Sequence, residues 1–173
     1  MTKAPTTKKR VTKSVTADLD FAFYTQLQLF YQDQKRYIRT HFKDLSKKFL
    51  DYNEPSRPGA FLRVPQFEAL EMYIFLKEFA GNPHIHELFD QWYKREGVFK
   101  NRMSGASRHG QLSLVDEMTN EQYKAVLSRM KGNKRLYPNY IFALTMGTGK
   151  TILMATCIYY EFILANKFPS DRR

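Results

Sequence analysis

The sequence predicts a predominantly α-helical chain that closes on a single strand–loop–helix unit. Three observations predict it. Apolar residues recur at three- and four-residue spacing over most of the chain. One uninterrupted apolar run, Tyr140-Ile141-Phe142-Ala143-Leu144, stands apart from that periodicity and precedes a glycine-bearing turn. Of the 173 residues, 43% are apolar and 15% aromatic, enough to build a packed core.

The elements follow in order. Residues 1–17 carry Lys3, Lys8, Lys9, Arg10 and Lys13 with no acid and read as a disordered basic tail. From Asp20 to Tyr52 the pattern is mainly helical, through Phe23, Leu27, Phe30 and Tyr31, then Ile38, Phe42, Leu45 and Phe49. Phe21, Phe23, Thr25 and Leu27 also alternate, which leaves a short strand open there. The Pro- and Gly-bearing stretch 53–59 is a breaker and a candidate domain joint.

Pro65 opens a helix over Gln66–Phe79, with Leu70, Tyr73, Ile74 and Leu76 on its apolar face, and Gly81-Asn82-Pro83 ends it. A second helix is expected from His84 to Arg95, with Ile85, Leu88, Phe89 and Trp92 on one side. Gly97–Gly110 reads as a loop, and Leu112–Met118 as its continuation toward a third helix. Thr119 or Asn120 caps that helix, which runs through Met130 to the stop at Gly132-Asn133. The run 140–144 reads as a buried parallel strand. The helix after it, to about Asn166, is apolar nearly all round and is expected to be buried on more than one side.

The turn between them carries the chemistry. Strand, Thr145-Met146-Gly147-Thr148-Gly149-Lys150-Thr151, helix is the order a phosphate-binding loop requires. Gly147 and Gly149 let backbone amides turn inward toward phosphate oxygens. The helix N-terminus adds partial positive charge there. Lys150 is placed for the β- and γ-phosphates of ATP, as the catalytic cation, and the Thr151 hydroxyl for Mg²⁺. Leu144 stands where the full pattern has its first glycine, so the match is to the shorter Gly-x-Gly-Lys-Thr core.

The segment from Tyr137 to Thr156 resembles motif I of superfamily-two helicases, of the DEAD/DEAH type. More narrowly it is similar to the helicase subunits of type III restriction enzymes. Leu62-Arg63-Val64-Pro65-Gln66-Phe67-Glu68-Ala69-Leu70 resembles the segment such proteins place before motif I, whose glutamine contacts adenine; by that resemblance Gln66 does so here. Gln66 lies 83 positions before Gly149, an interval that implies an inserted helical segment, roughly 81–136. The resemblance implies an ATP- and Mg²⁺-dependent DNA helicase or translocase of a restriction system, with a RecA-like lobe of which this chain holds the first strand, loop and helix. The lobe's acidic motif II is expected beyond Arg173, so the chain reads as a fragment or truncated gene, inactive alone.

Other features are plainer. Leu112-Ser113-Leu114-Val115-Asp116-Glu117 has the look of an acidic motif II but precedes the loop, the wrong order. His84-x-His86-Glu87 lacks a third ligand nearby and reads as helix-start residues. Cys157, the sole cysteine, reads as a small buried side chain and excludes an internal disulfide. Arg129, Lys131, Lys134 and Arg135 fit equally a DNA-phosphate patch and a solvated helix end.

The segments expected are a tail (1–17), a helical segment (18–58), a helical segment with the glutamine and insertion (59–136) and the start of the ATPase lobe (137–173). The net charge of +11, from 28 basic and 17 acidic residues, predicts DNA as a partner through non-specific phosphate contacts. Other expected partners are the remainder of the motor and a methyltransferase or nuclease subunit. No secretory signal or spanning segment is read, so the expected location is cytoplasmic. The rival reading is a small basic helical DNA-binding or interaction module with a vestigial glycine loop.

Overall fold

The structure, a computed structural model, describes residues 11–103 and 105–171, with the backbone alone for 11–18, 20 and 21. Of the expected basic tail, residues 1–10 lie outside the described residues, and the helix α1 (Val11–Thr40) already includes the rest. Six further α-helices follow: α2 (Asp44–Asn53), α3 (Val64–Ile74), α4 (Ile85–Lys94), α5 (Gly105–Glu117), α6 (Asn120–Gly132) and α7 (Lys150–Lys167). The chain is predominantly α, as its periodicity predicts. A π-helical turn, Phe75–Phe79, extends α3, and a short 3₁₀ turn, Gly97–Phe99, follows α4. Among the described residues no helix is long and apolar enough to cross a membrane.

Two compact units are interleaved along the chain. The first joins Met1–Asp33 to His84–Pro138, and the second joins Gln34–Pro83 to Asn139–Arg173.

The first unit is organised by rings. On α1, Phe23, Leu27 and Phe30 repeat at four and three residues, so one stripe of the helix carries them all inward. Phe23 meets Phe89 and Trp92 of α4 edge-on, at 5.2 and 5.4 Å between centroids. Phe30 meets Phe99 at 4.8 Å. Such tilted pairs suit the ring quadrupoles. Thr119 caps α6 by accepting from Gln122 N–H, while the Gln122 side chain accepts from Thr119 N–H; this is the reciprocal box expected at a helix start.

One expectation fails in this unit. Gly97–Gly110 and the stretch to Met118 read as loop, yet α5 occupies Gly105–Glu117. Weak local patterning is overridden by long-range anchors. Asp33 accepts from the Ser107 amide at 2.9 Å, near the helix start. Buried Gln111 donates to the Trp92 carbonyl and accepts from Arg95.

In the second unit, Pro65 sits in the first turn of α3, where a missing N–H costs nothing. The π turn places Glu78 against α2. One Glu78 oxygen accepts from Lys43 N–H at the α2 N-terminus; the other accepts from Ser46 and Tyr160 hydroxyls, at 2.6 and 2.8 Å. A carboxylate at a helix N-terminus answers orphan amides and the helix dipole together. Glu71, fully buried, is paired by Lys35 at 2.9 Å and by Arg39.

The strand expected over Tyr140–Leu144 does not form: these residues take no regular secondary structure. A strand exists through its ladder, and no β-ladder is formed here among the described residues. Its side chains alternate instead. Phe142 lies 6.4 Å from the Tyr73 ring and Tyr140 donates to the Pro83 carbonyl, while Ile141 is 92% exposed.

Candidate nucleotide-binding loop

The loop belongs to the second unit and is held from two sides. Gly147 and Gly149 both adopt left-handed backbone, with φ of 75° and 72°. For a residue with a Cβ that conformation costs roughly 1–2 kcal/mol. The two glycines reverse the chain between the extended run and α7. Gly149 is the N-cap of α7, and its carbonyl accepts from Ile152 and Leu153 N–H. The Lys150 and Thr151 amides stand ahead of these two in the first turn, where helix amides lack an intrahelical acceptor and an anion is favoured.

Within the loop, Thr145 carbonyl is a hub. It accepts from the Thr148 hydroxyl at 2.7 Å and from Lys150 Nζ at 2.8 Å. Lys150 and Thr151 are both exposed, and Met146 is almost fully so. The lysine therefore folds back over its own loop from an open position. A phosphate arriving there replaces a neutral acceptor with a charged one, which makes the stronger, charge-assisted bond.

Gln66 is the link from α3. Its Oε1 accepts from Arg63 N–H at 2.7 Å and its Nε2 donates to the Gly149 carbonyl at 2.9 Å. The side chain is buried, so both ends of the amide are satisfied within the protein. A Cβ at position 149 would lie 2.5 Å from Gln66 Nε2, whereas one at position 147 meets nothing within 4 Å. Gly149 is thus required by packing as well as by φ, Gly147 by φ alone.

Arg63 was not anticipated. Its guanidinium donates to the Gly147 carbonyl at 3.4 Å and is exposed beside the loop. Its sequence signal was its place in the same short segment as Gln66.

Helix α7 is anchored midway. Tyr160 is fully buried against Glu78 and Ser46, and Tyr73 donates to Glu161 at 2.7 Å. Burial is the main force raising both phenols above their ordinary range. Burial also pushes the Cys157 thiol up to about 11, with Glu161 adding to it, so the residue is half-buried and chemically quiet.

The expected burial of α7 on several sides is not met. Leu153, Thr156 and Tyr160 form one buried stripe, while Met154, Ile158, Tyr159 and Phe162 are exposed.

Among the described residues no group of three or more His, Cys, Asp or Glu is placed to hold a metal. Thr151 offers a single oxygen, which suits Mg²⁺ only when phosphates and water complete its six-fold shell. Compared with protein-family models, curated proteins and solved structures, the chain finds no match in any of the three.

Proposed function

We propose that this chain binds ATP with Mg²⁺ on Gly147–Thr151 and is the front portion of a DNA-dependent ATPase of the helicase or translocase kind, similar to the type III restriction helicases. The observation that carries the reading is the bond from Gln66 to Gly149. Two short segments 83 positions apart, the glycine loop read from its own residues and Gln66 assigned by resemblance, lie against one another. The intervening residues His84–Pro138 belong to the other unit, in keeping with an inserted segment.

In this reading Met146, Gly147, Thr148 and Gly149 line the phosphates and Lys150 offsets the charge on the transferring phosphoryl group. Thr151 helps to hold Mg²⁺, whose chemistry is to neutralise phosphate charge. Gln66 positions the loop through Gly149; buried and engaged at both ends of its amide, it would have to give up one of these partners to contact adenine. Residues 140–144 become the first strand of a RecA-like sheet whose other strands lie elsewhere in the protein. The β-like apolar run 140–144 and the uncovered apolar side of α7 support that.

Titration of a fluorescent ATP analogue with Mg²⁺ tests the reading. Saturable binding is expected, weakened about ten- to a hundredfold by Lys150→Ala, since a hydrogen bond to a charged group contributes ~1.5–3 kcal/mol. Stability should change by less than about 0.5 kcal/mol, as for an exposed side chain. Equal binding by both proteins would leave the loop vestigial and favour the basic helical module.

A further inference from the structure

The corner between α1 and α2 contains a cavity of about 400 Å³, in the second unit. Its walls follow helical spacing. Arg36, Arg39 and Thr40 share one face of α1, and Lys47, Leu50 and Asp51 share one face of α2. Phe42, in the turn between them, and Leu50 are buried and give the cavity an apolar floor. Three cations and one acid stand around it.

The cations differ in their engagements. Arg39 pairs with buried Glu71 and lies 3.8 Å from Glu54, so it is part of the framework. Lys47 pairs with the exposed Asp44, at 3.3 Å, in a solvent-screened pair that contributes little and yields readily to a phosphate. Arg36 is exposed. The surrounding segment is strongly basic: residues 34–51 hold Lys35, Arg36, Arg39, Lys43, Lys47 and Lys48 against Asp44 and Asp51, six cations to two acids. Solvating the end of α1 calls for one or two cations in its last turn. It gives no reason for Lys47 to face the same cavity from another helix.

We propose that this cavity is a contact site for a nucleic-acid strand, with Arg36 and Lys47 on backbone phosphates and one base or sugar within the cavity they rim. Cations rimming an apolar surface match the alternation of charge and flat ring along a single strand. The volume lies within the range of small-ligand pockets and suits one nucleotide unit. The choice of DNA as the polyanion rests on the proposed function; the cavity and its charge do not.

Fluorescence anisotropy of a labelled oligodeoxythymidylate on the whole chain, at low and moderate salt, tests the site. The double variant Arg36→Ala/Lys47→Ala should weaken binding about tenfold or more. It should also flatten the dependence of log K on log salt by roughly 1.4, at ~0.7 for each phosphate lost from a single strand. Lys100→Ala/Lys124→Ala removes the same charge at exposed positions of the other unit, outside the basic cluster 129–135, and should change affinity far less. Circular dichroism melting checks that each variant is folded. Equal loss in both double variants would make the charge diffuse and overturn the site, as would an unbound parent chain. Displacement of the DNA by millimolar inorganic phosphate would assign the cavity to a free anion and also overturn it. Lys150→Ala should retain DNA binding while losing the nucleotide, so failure at the cavity and failure at the loop are told apart.

Discussion

Helices α4 and α7 are both rich in apolar residues, and they are treated in opposite ways. On α4 the apolar residues occupy one side and that side is sealed: Leu88, Phe89 and Trp92 have no exposed surface. Its other side carries His84, Glu87, Asp90 and Lys94, a surface fit for water. On α7 apolar residues occupy every side and only one stripe is covered. The first sequence is complete in its surroundings; the second is written for more neighbours than the described residues provide. Fully burying a large aliphatic or aromatic side chain contributes ~1.5–3 kcal/mol, so each α7 residue left partly exposed holds back a share of such a gain.

The largest effect that would break this contrast is at Trp92. Trp92→Ala should destabilise the protein by about 3–5 kcal/mol, through lost burial and a cavity among Phe23 and Phe89. Denaturant titration reads it directly, and a cost below about 1 kcal/mol would mean that the ring cluster is not the core of its unit.

Next in size is the loop. Gly149→Ala should cost more than Gly147→Ala. Both force a left-handed backbone at roughly 1–2 kcal/mol, but only the methyl at 149 strikes Gln66. Thermal melts of the two variants settle the order, and equal losses would deny the packing role assigned to Gln66.

A smaller effect is acid sensitivity at His86. Burial is the main force holding its pKa below the ordinary value, with His84, Lys134 and Lys131 acting the same way against Glu87. Above about pH 6.5 the ring is neutral whether the chain is folded or not. As pH falls below that, the unfolded chain takes up the proton first, so stability is lost on acidification. Melting temperatures between about pH 7.5 and 5.5 should fall less steeply in His86→Gln than in the parent; parallel curves would remove the histidine from the account.

The smallest expected change sharpens the contrast most. Phe162 is 64% exposed, so Phe162→Ala should alter stability by less than about 0.5 kcal/mol. A loss of Trp92 size would show that α7 is covered in solution.

These helices also show what the sequence could disclose. The bounds of α4 and α6 and the start of α3 are legible because strong punctuation marks them, Pro65, Gly81-Asn82-Pro83, Thr119 and Gly132-Asn133, whereas the change at Phe75 from α3 to the π turn has no such mark. Such residues act through their own φ and hydrogen bonds, which need no neighbour. Helix α5 was missed because its anchors, Asp33 and the pair Arg95–Trp92, lie far off in sequence. Residues 140–144 show the converse: the pattern is β-like, but a ladder is a property of two segments and cannot be written in one. The loop was read from Gly147–Thr151 directly, Gln66 by resemblance, and Arg63 not at all.

The Gln66 amide is clamped at both ends, by Arg63 N–H on its oxygen and by the Gly149 carbonyl on its nitrogen. The two Nε2 protons of any glutamine differ because the amide C–N bond has partial double-bond character; here the clamp also holds one of them against the Gly149 carbonyl, which widens the difference. In an ¹⁵N-edited spectrum this side chain should stand out from the solvent-averaged glutamines as a widely split pair, with the proton facing Gly149 slow to exchange with deuterium. The loop thus carries a built-in spectroscopic reporter, one whose signal moves when the backbone at Gly149 moves and needs no label beyond the isotope.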